Sequence, residues 1–131
     1  MDLHQSIHRL LEEIGPNRSR MSNTAYDTAW LARLGEIGEP LGEEAMDWLR
    51  ANQLADGSWG AREFRYYHDR LVCTLAAVTV LARQGQAQDR ARWQRAQLAL
   101  DTVTRGLAAD PAETIGFEMI TPALLAEAKA V

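Results

Sequence analysis

The stretch Gln53-Leu54-Ala55-Asp56-Gly57-Ser58-Trp59-Gly60 limits the possible folds of this chain more than any other segment. It lies between a helix-like run, Glu43 to Asn52, and a long apolar run. Asp-Gly marks a tight turn, because glycine tolerates positive φ and aspartate can bond the backbone two residues on. A turn this short lets the Trp59 ring fold back over the end of the preceding helix. The Gln53 amide offers donors and an acceptor to the orphan groups of a helix terminus. The expected product is a staple between neighbouring helices.

Helical periodicity extends over the rest of the chain. Leu3, Ile7, Leu10, Leu11 and Ile14 follow the i, i+4, i+7, i+8 spacing of an amphipathic helix, ended by Gly15-Pro16-Asn17. Thr24 can cap a second helix, with Asp27 answering three residues on, and Tyr26, Trp30 and Leu34 share a face. Gly35 to Gly42 reads as a loop, since it holds Pro40 and three glycines. A third helix is expected over 43–52, a long fourth over 64–84 ended by Gly85, and a fifth over 90–105. The last is expected to start at Pro122, with Thr121 as its cap. No alternating strand pattern appears, so the fold class is all-α. The expected core contains Trp30, Trp48, Leu71, Leu75, Val78, Leu100 and Leu124.

The chain has 131 residues, enough for one domain with its own core. Its net charge of −4 does not favour nucleic acid as a partner. The longest apolar run, Leu71 to Ala82, is interrupted by Thr74 and Thr79. It is also shorter than the roughly 20 residues of a membrane span. Cys73 is the only cysteine, so no internal disulfide can form, which suits a reducing cytoplasm. Its place in the apolar run marks it as a small buried hydrophobe rather than a nucleophile.

Several groups could carry chemistry. Asp110 and Glu113 form an acidic pair in a loop. Two loop carboxylates could hold Mg²⁺, which prefers oxygen ligands and bridges to phosphates; the alternative is a solvated turn started by Asp110-Pro111. His4 and His8 share a helix face but lack a third ligand. His68 adjoins Asp69, yet adjacent helical residues point apart. Arg90, Arg92 and Arg95 could meet a phosphate or form the wet face of their helix. Tyr26, Trp30, Trp48, Trp59 and Trp93 could line an apolar, cation-stabilising pocket or belong to the core.

Four segments, taken in order, resemble a known family. Gln53-x-x-Asp56-Gly57-x-Trp59 is similar to the repeat of terpene cyclases built from paired helices. Ser22-Asn23-Thr24-Ala25-Tyr26-Asp27-Thr28-Ala29-Trp30 resembles the Ser-x-Tyr-Asp-Thr-Ala-Trp signature of class II diterpene cyclases, the copalyl diphosphate synthase type. Asp69-Arg70-Leu71 with Thr74-Leu75-Ala76, and Gly116-Phe117-Glu118 with Pro122-Ala123-Leu124-Leu125, are similar to two further segments of that family. Tyr26, Asp27, Trp30, Gln53, Asp56, Gly57 and Trp59 are thus expected to be structural motif residues.

The resemblance implies an α/α-barrel-like helical domain. It implies a parent enzyme that protonates geranylgeranyl diphosphate and closes two rings to a copalyl diphosphate, with Mg²⁺ as cofactor. Asp110 and Glu113 stand where the family has an acidic, Mg²⁺-associated motif, though the motif here is shorter. The family's general acid lies in an Asp-x-Asp-Asp motif, and this chain contains no Asp-x-Asp. The chain is therefore expected to be a fragment: residues 1–16 a helix that packs on the β domain, residues 17–131 a γ-like domain. Alone it should be inactive, and its apolar N-terminal stripe could pair with a second copy. A stand-alone helical binding module and a piece of a triterpene-type cyclase are the alternatives.

Overall fold

The structure, a computed structural model, describes Gln5 and residues 24–63, 65–112 and 116–131. The expected helix over 1–14 lies outside these residues apart from Gln5, as do Phe64 and Glu113. Every regular element among the described residues is helical. The elements are α1 (Ala25–Ala32), α2 (Pro40–Ala51), α3 (Tyr67–Gln84), α4 (Arg90–Gly106) and α5 (Phe117–Lys129). Three 3₁₀ turns, Arg33–Ile37, Ala87–Asp89 and Leu107–Ala109, join them.

The centre is α3. It packs against α1, α4 and α5, while α2 packs on α1. Thirteen of its eighteen residues are buried, as expected for a helix with neighbours on several sides. Leu71, Leu75 and Val78 from α3 and Leu124 from α5 lie in the core as the periodicity suggests; Trp48 and Leu100 are partly buried against it. Cys73 is 1% exposed, and burial followed by the nearby charge of Asp69 pushes its thiol up to about 12. It is a packing residue.

Three expectations need correction. Trp30 is 43% exposed and outside the core. The buried face of α1 is Ala25, Thr28, Ala29 and Ala32, small residues that let α1 lie close to its neighbours. The large side chains stay outside: Tyr26 and Trp30 meet edge to face at 6.3 Å, and the Arg33 guanidinium stacks over Trp30 at 4.1 Å.

The segment 35–42 is not a loop throughout. Pro40 opens α2 at its first position, where a missing N–H costs nothing. Gly42 lies inside the helix because a Cβ there would come within 2.6 Å of the Gly35 Cα. A side chain would push the 3₁₀ turn off α2.

The last helix starts at Phe117, five residues before Pro122, with left-handed Gly116 as its N-cap. Pro122 is exposed and sits inside α5, where it leaves the Glu118 carbonyl without its usual donor.

Candidate functional site

Three connections converge on the two ends of α3, and each is organised by an aspartate. The first is the turn from α2 to α3. Gly57 N–H donates to the Leu54 carbonyl at 2.9 Å, and Leu54 N–H to Ser58 at 2.9 Å. Asp56 Oδ1 accepts from the Ser58 amide at 2.9 Å and hydroxyl at 2.6 Å. Gly57 has φ +94, and a Cβ would lie 2.7 Å from the Arg95 carbonyl oxygen, so only glycine fits. Burial pushes the Asp56 carboxyl up; the two Ser58 bonds and Arg70 outweigh it and hold it below its usual value.

Around this turn the staple is complete. Trp59 is fully buried, and its ring N–H donates to the Leu49 carbonyl near the end of α2 at 2.9 Å. Its backbone N–H donates to Thr74 Oγ1 on α3 at 3.0 Å. Gln53 Nε2 donates to Gly57 O and to Arg92 O on α4, both at 2.9 Å, and Arg95 donates to Gln53 Oε1. Three helices are thus joined at one point. Arg70, itself buried, donates to Ser58 Oγ and Asp56 Oδ2 and closes the turn from the α3 side. Upstream, Thr24 caps α1 through Asp27 N–H at 3.2 Å and donates its hydroxyl to the Asp27 carboxylate at 2.7 Å.

The second connection, α3 to α4, holds Asp89. Its side chain is 1% exposed and accepts a two-point contact from Arg50 Nε and Nη2 on α2, each at 3.0 Å. It also accepts from Gln86 N–H at 2.9 Å. Burial pushes the Asp89 carboxyl up, and the Arg50 contact outweighs this and holds it low. This pair was not visible in the sequence.

The third connection, α4 to α5, holds Asp110. Neither sequence reading, metal ligand or solvated turn, describes its surroundings. Its side chain is 3% exposed. Oδ1 accepts from Tyr67 N–H at 3.0 Å; Oδ2 accepts from His68 N–H at 2.8 Å and from His68 Nδ1 at 2.6 Å. An ionised carboxylate only accepts, so Nδ1 carries the proton. Burial pushes the Asp110 carboxyl up, and the N–H groups of Tyr67 and His68 outweigh it. The carboxylate thus caps α3, whose own N-cap residue, Tyr66, makes no capping bond. The partner of His68 is Asp110 and not its neighbour Asp69, which instead accepts from Cys73 Sγ at 3.6 Å.

Tested against Mg²⁺, the described residues do not fit. Mg²⁺ takes near-octahedral oxygen ligands at about 2.0–2.1 Å and keeps several waters. Both Asp110 oxygens already hold N–H groups, and no three His, Cys, Asp or Glu side chains gather as a metal site among the described residues. Glu113 lies outside them. Two of the three arginines at the start of α4 are engaged elsewhere: Arg92 lies 3.4 Å from Asp89 Oδ1, and Arg95 holds Gln53; Arg90 is exposed. The aromatic residues do not form one pocket. Trp59 is sealed in the staple, while Trp48 lines a groove of about 230 Å³ with Thr28, Leu31, Leu41, Glu44 and Ala45.

No protein-family model matches the chain. It is 45% identical over 115 residues to a type B diterpene cyclase from Mycobacterium tuberculosis, a match covering 82% of this chain and 23% of that protein. Two solved structures share its fold at 30% identity. Abietadiene synthase from Abies grandis has a TM-score of 0.73 over 99% of this chain and 18% of its own. The ent-copalyl diphosphate synthase of Arabidopsis thaliana, solved with an aza-dihydrogeranylgeranyl thiolodiphosphate, has 0.76 over 96% and 18%. The chain spans less than a quarter of the length of these relatives. No helix among its described residues is long and apolar enough to cross a membrane. The ordered motifs, the helical fold and these similarities together make the chain a member of the class II diterpene cyclase family, matching one part of its longer relatives.

Proposed function

We propose that this chain is the γ-type helical part of a class II diterpene cyclase. In the longer protein it supports the acid-bearing β domain and forms one wall of the cleft for geranylgeranyl diphosphate. One observation carries this reading. The structural match to abietadiene synthase covers 99% of the chain, yet no Asp-x-Asp occurs among the 131 residues. The geranylgeranyl analogue bound by the Arabidopsis relative supports a C20 prenyl diphosphate as the substrate class.

The chemistry requires a protonated carboxylic acid beside the terminal alkene. Among the described residues, the three most engaged carboxylates are unsuited to this. Asp56, Asp89 and Asp110 are all held ionised by donors. The chain's contribution is therefore shape and rigidity: α3 as a buried axis, with α1, α2, α4 and α5 fixed around it. No step is assigned to Mg²⁺ at Asp110.

The test is an assay on geranylgeranyl diphosphate with Mg²⁺, followed by dephosphorylation and product detection. The chain alone should give no product above a no-protein control. A longer protein that joins this chain to an Asp-x-Asp-Asp domain should give a copalyl alcohol. Product from the chain alone would refute the supporting role. No product from the longer protein would favour a stand-alone binding module.

A further inference from the structure

The segment that joins α4 to α5 is tied to the first turn of α3 from both sides. Before it, Asp110 receives the three N–H groups described above, and the Tyr66 hydroxyl donates to the Ala112 carbonyl. After it, Phe117 meets the His68 ring edge to face, with centroids 4.6 Å apart. His68 is thus the common partner of both ends. Its ring is also tilted against Tyr66 at 5.8 Å and is 9% exposed in its side chain. Glu118, exposed at the start of α5, follows directly on Phe117.

We propose that Asp110 and His68 act as one positioning pair, which holds residues 110–112 and the start of α5 on α3, and that Asp110 is not a metal ligand. Among the described residues, every polar contact of the Asp110 carboxylate serves α3. A cation bound by both carboxylate oxygens would compete with the N–H groups of the first turn of α3. A lone cap would need only the two backbone bonds; the ring contact adds a side chain that also touches Phe117. Displacing the ring should therefore shift both ends of the segment together. The functional consequence rests on the proposed function, in which this chain forms one wall of the substrate cleft. The structural coupling does not depend on that reading.

The experiment is a double-mutant cycle of Asp110→Asn, His68→Gln and the double variant. The chain is read by urea unfolding with and without Mg²⁺, and the longer cyclase by steady-state kinetics. Residues that act as a unit give non-additive losses. Each single variant should lower the unfolding midpoint, the double variant should be no worse than the weaker single, and Mg²⁺ should move none of them. In the longer enzyme both singles should raise KM for geranylgeranyl diphosphate several-fold and more than they lower kcat. Both should leave the half-saturating Mg²⁺ concentration within twofold of the parent. Additive unfolding losses would overturn the pair. A rise of tenfold or more in the Mg²⁺ requirement for Asp110→Asn, absent in His68→Gln, would restore the ligand role. If Asp110→Asn does not fold, Asp110→Glu replaces it in the same cycle, with the same outcomes deciding. A longer parent with no activity defeats the proposed function and leaves the unfolding cycle to judge the pair.

Discussion

Asp56 and Asp110 stand in two connections that meet at the start of the same helix, α3, and the fold uses them over different ranges. Asp56 bonds Ser58, two residues away, and shapes its own turn. Asp110 bonds Tyr67 and His68, 43 and 42 residues away, and shapes an element it does not belong to. Asp89 is of the second kind, gripped by Arg50 at a separation of 39. Its side chain and that of Asp110 are 1% and 3% exposed, whereas Asp56 keeps 43%. A local aspartate can stay wet because its main partner, Ser58, lies in its own turn, with Arg70 adding one longer contact from α3. A remote one must be buried against its partner, so breaking it strands a charge or a set of donors.

The sharpest way to test this contrast is at the staple that the Asp56 turn positions. Trp59→Ala should cost about 4 kcal/mol, from lost packing of a fully buried ring and a lost donor to Leu49. Urea denaturation measures it, and a loss below about 1 kcal/mol would show that the turn does not depend on its tryptophan.

Asp89→Ala should follow at about 3 kcal/mol, because it leaves the Arg50 side chain, only 10% exposed, without its main partner. Glu43 and Asp47 also contact Arg50 and are well exposed, so they offset only part of the loss. A negligible change would mean that remote burial adds nothing over a local turn.

Acid should act on the same groups. Asp56, Asp89 and Asp110 are all depressed in the folded state. The unfolded chain then binds more protons near the ordinary aspartate value of about 3.9, so stability is complete above that value and is lost as pH falls through the lower folded values. Melting temperature should be level from pH 7 to about 5 and decline below about 4. Asp89→Asn should make the decline shallower. A profile unchanged down to pH 2.5 would contradict the depressed values.

Asp56→Ala is expected to cost only about 1 kcal/mol, the worth of its bonds to Ser58 in a partly exposed site. If it proved as costly as Asp89→Ala, range would not be what separates the two kinds. Trp30→Ala should be the mildest change, under about 1 kcal/mol, since it removes an exposed ring and one stacked guanidinium. A cost near that of Trp59→Ala would place Trp30 in a core the structure does not show.

What could be read in advance follows the same division. The Thr24 cap, the Asp56-Gly57 turn and the end of α3 at Gly85 each depend on residues within a few positions of one another. Trp30 was misplaced because large apolar residues dominate a periodicity argument. Its helix turns alanines inward, and their small size becomes an advantage only when a neighbouring helix is close. The start of α5 was missed because proline at 122 is a strong local signal, whereas the packing of Phe117 on His68 spans 49 positions.

Helical class, the positions of most elements and membership of the diterpene cyclases were determined by sequence, because spacing and short motifs record interactions that are local along the chain. The inward face of α1, the Arg50–Asp89 contact and the duty of Asp110 at the start of α3 were decided only by tertiary structure. Their partners lie on other helices, and the burial that makes a carboxylate contact strong exists only once those helices have packed.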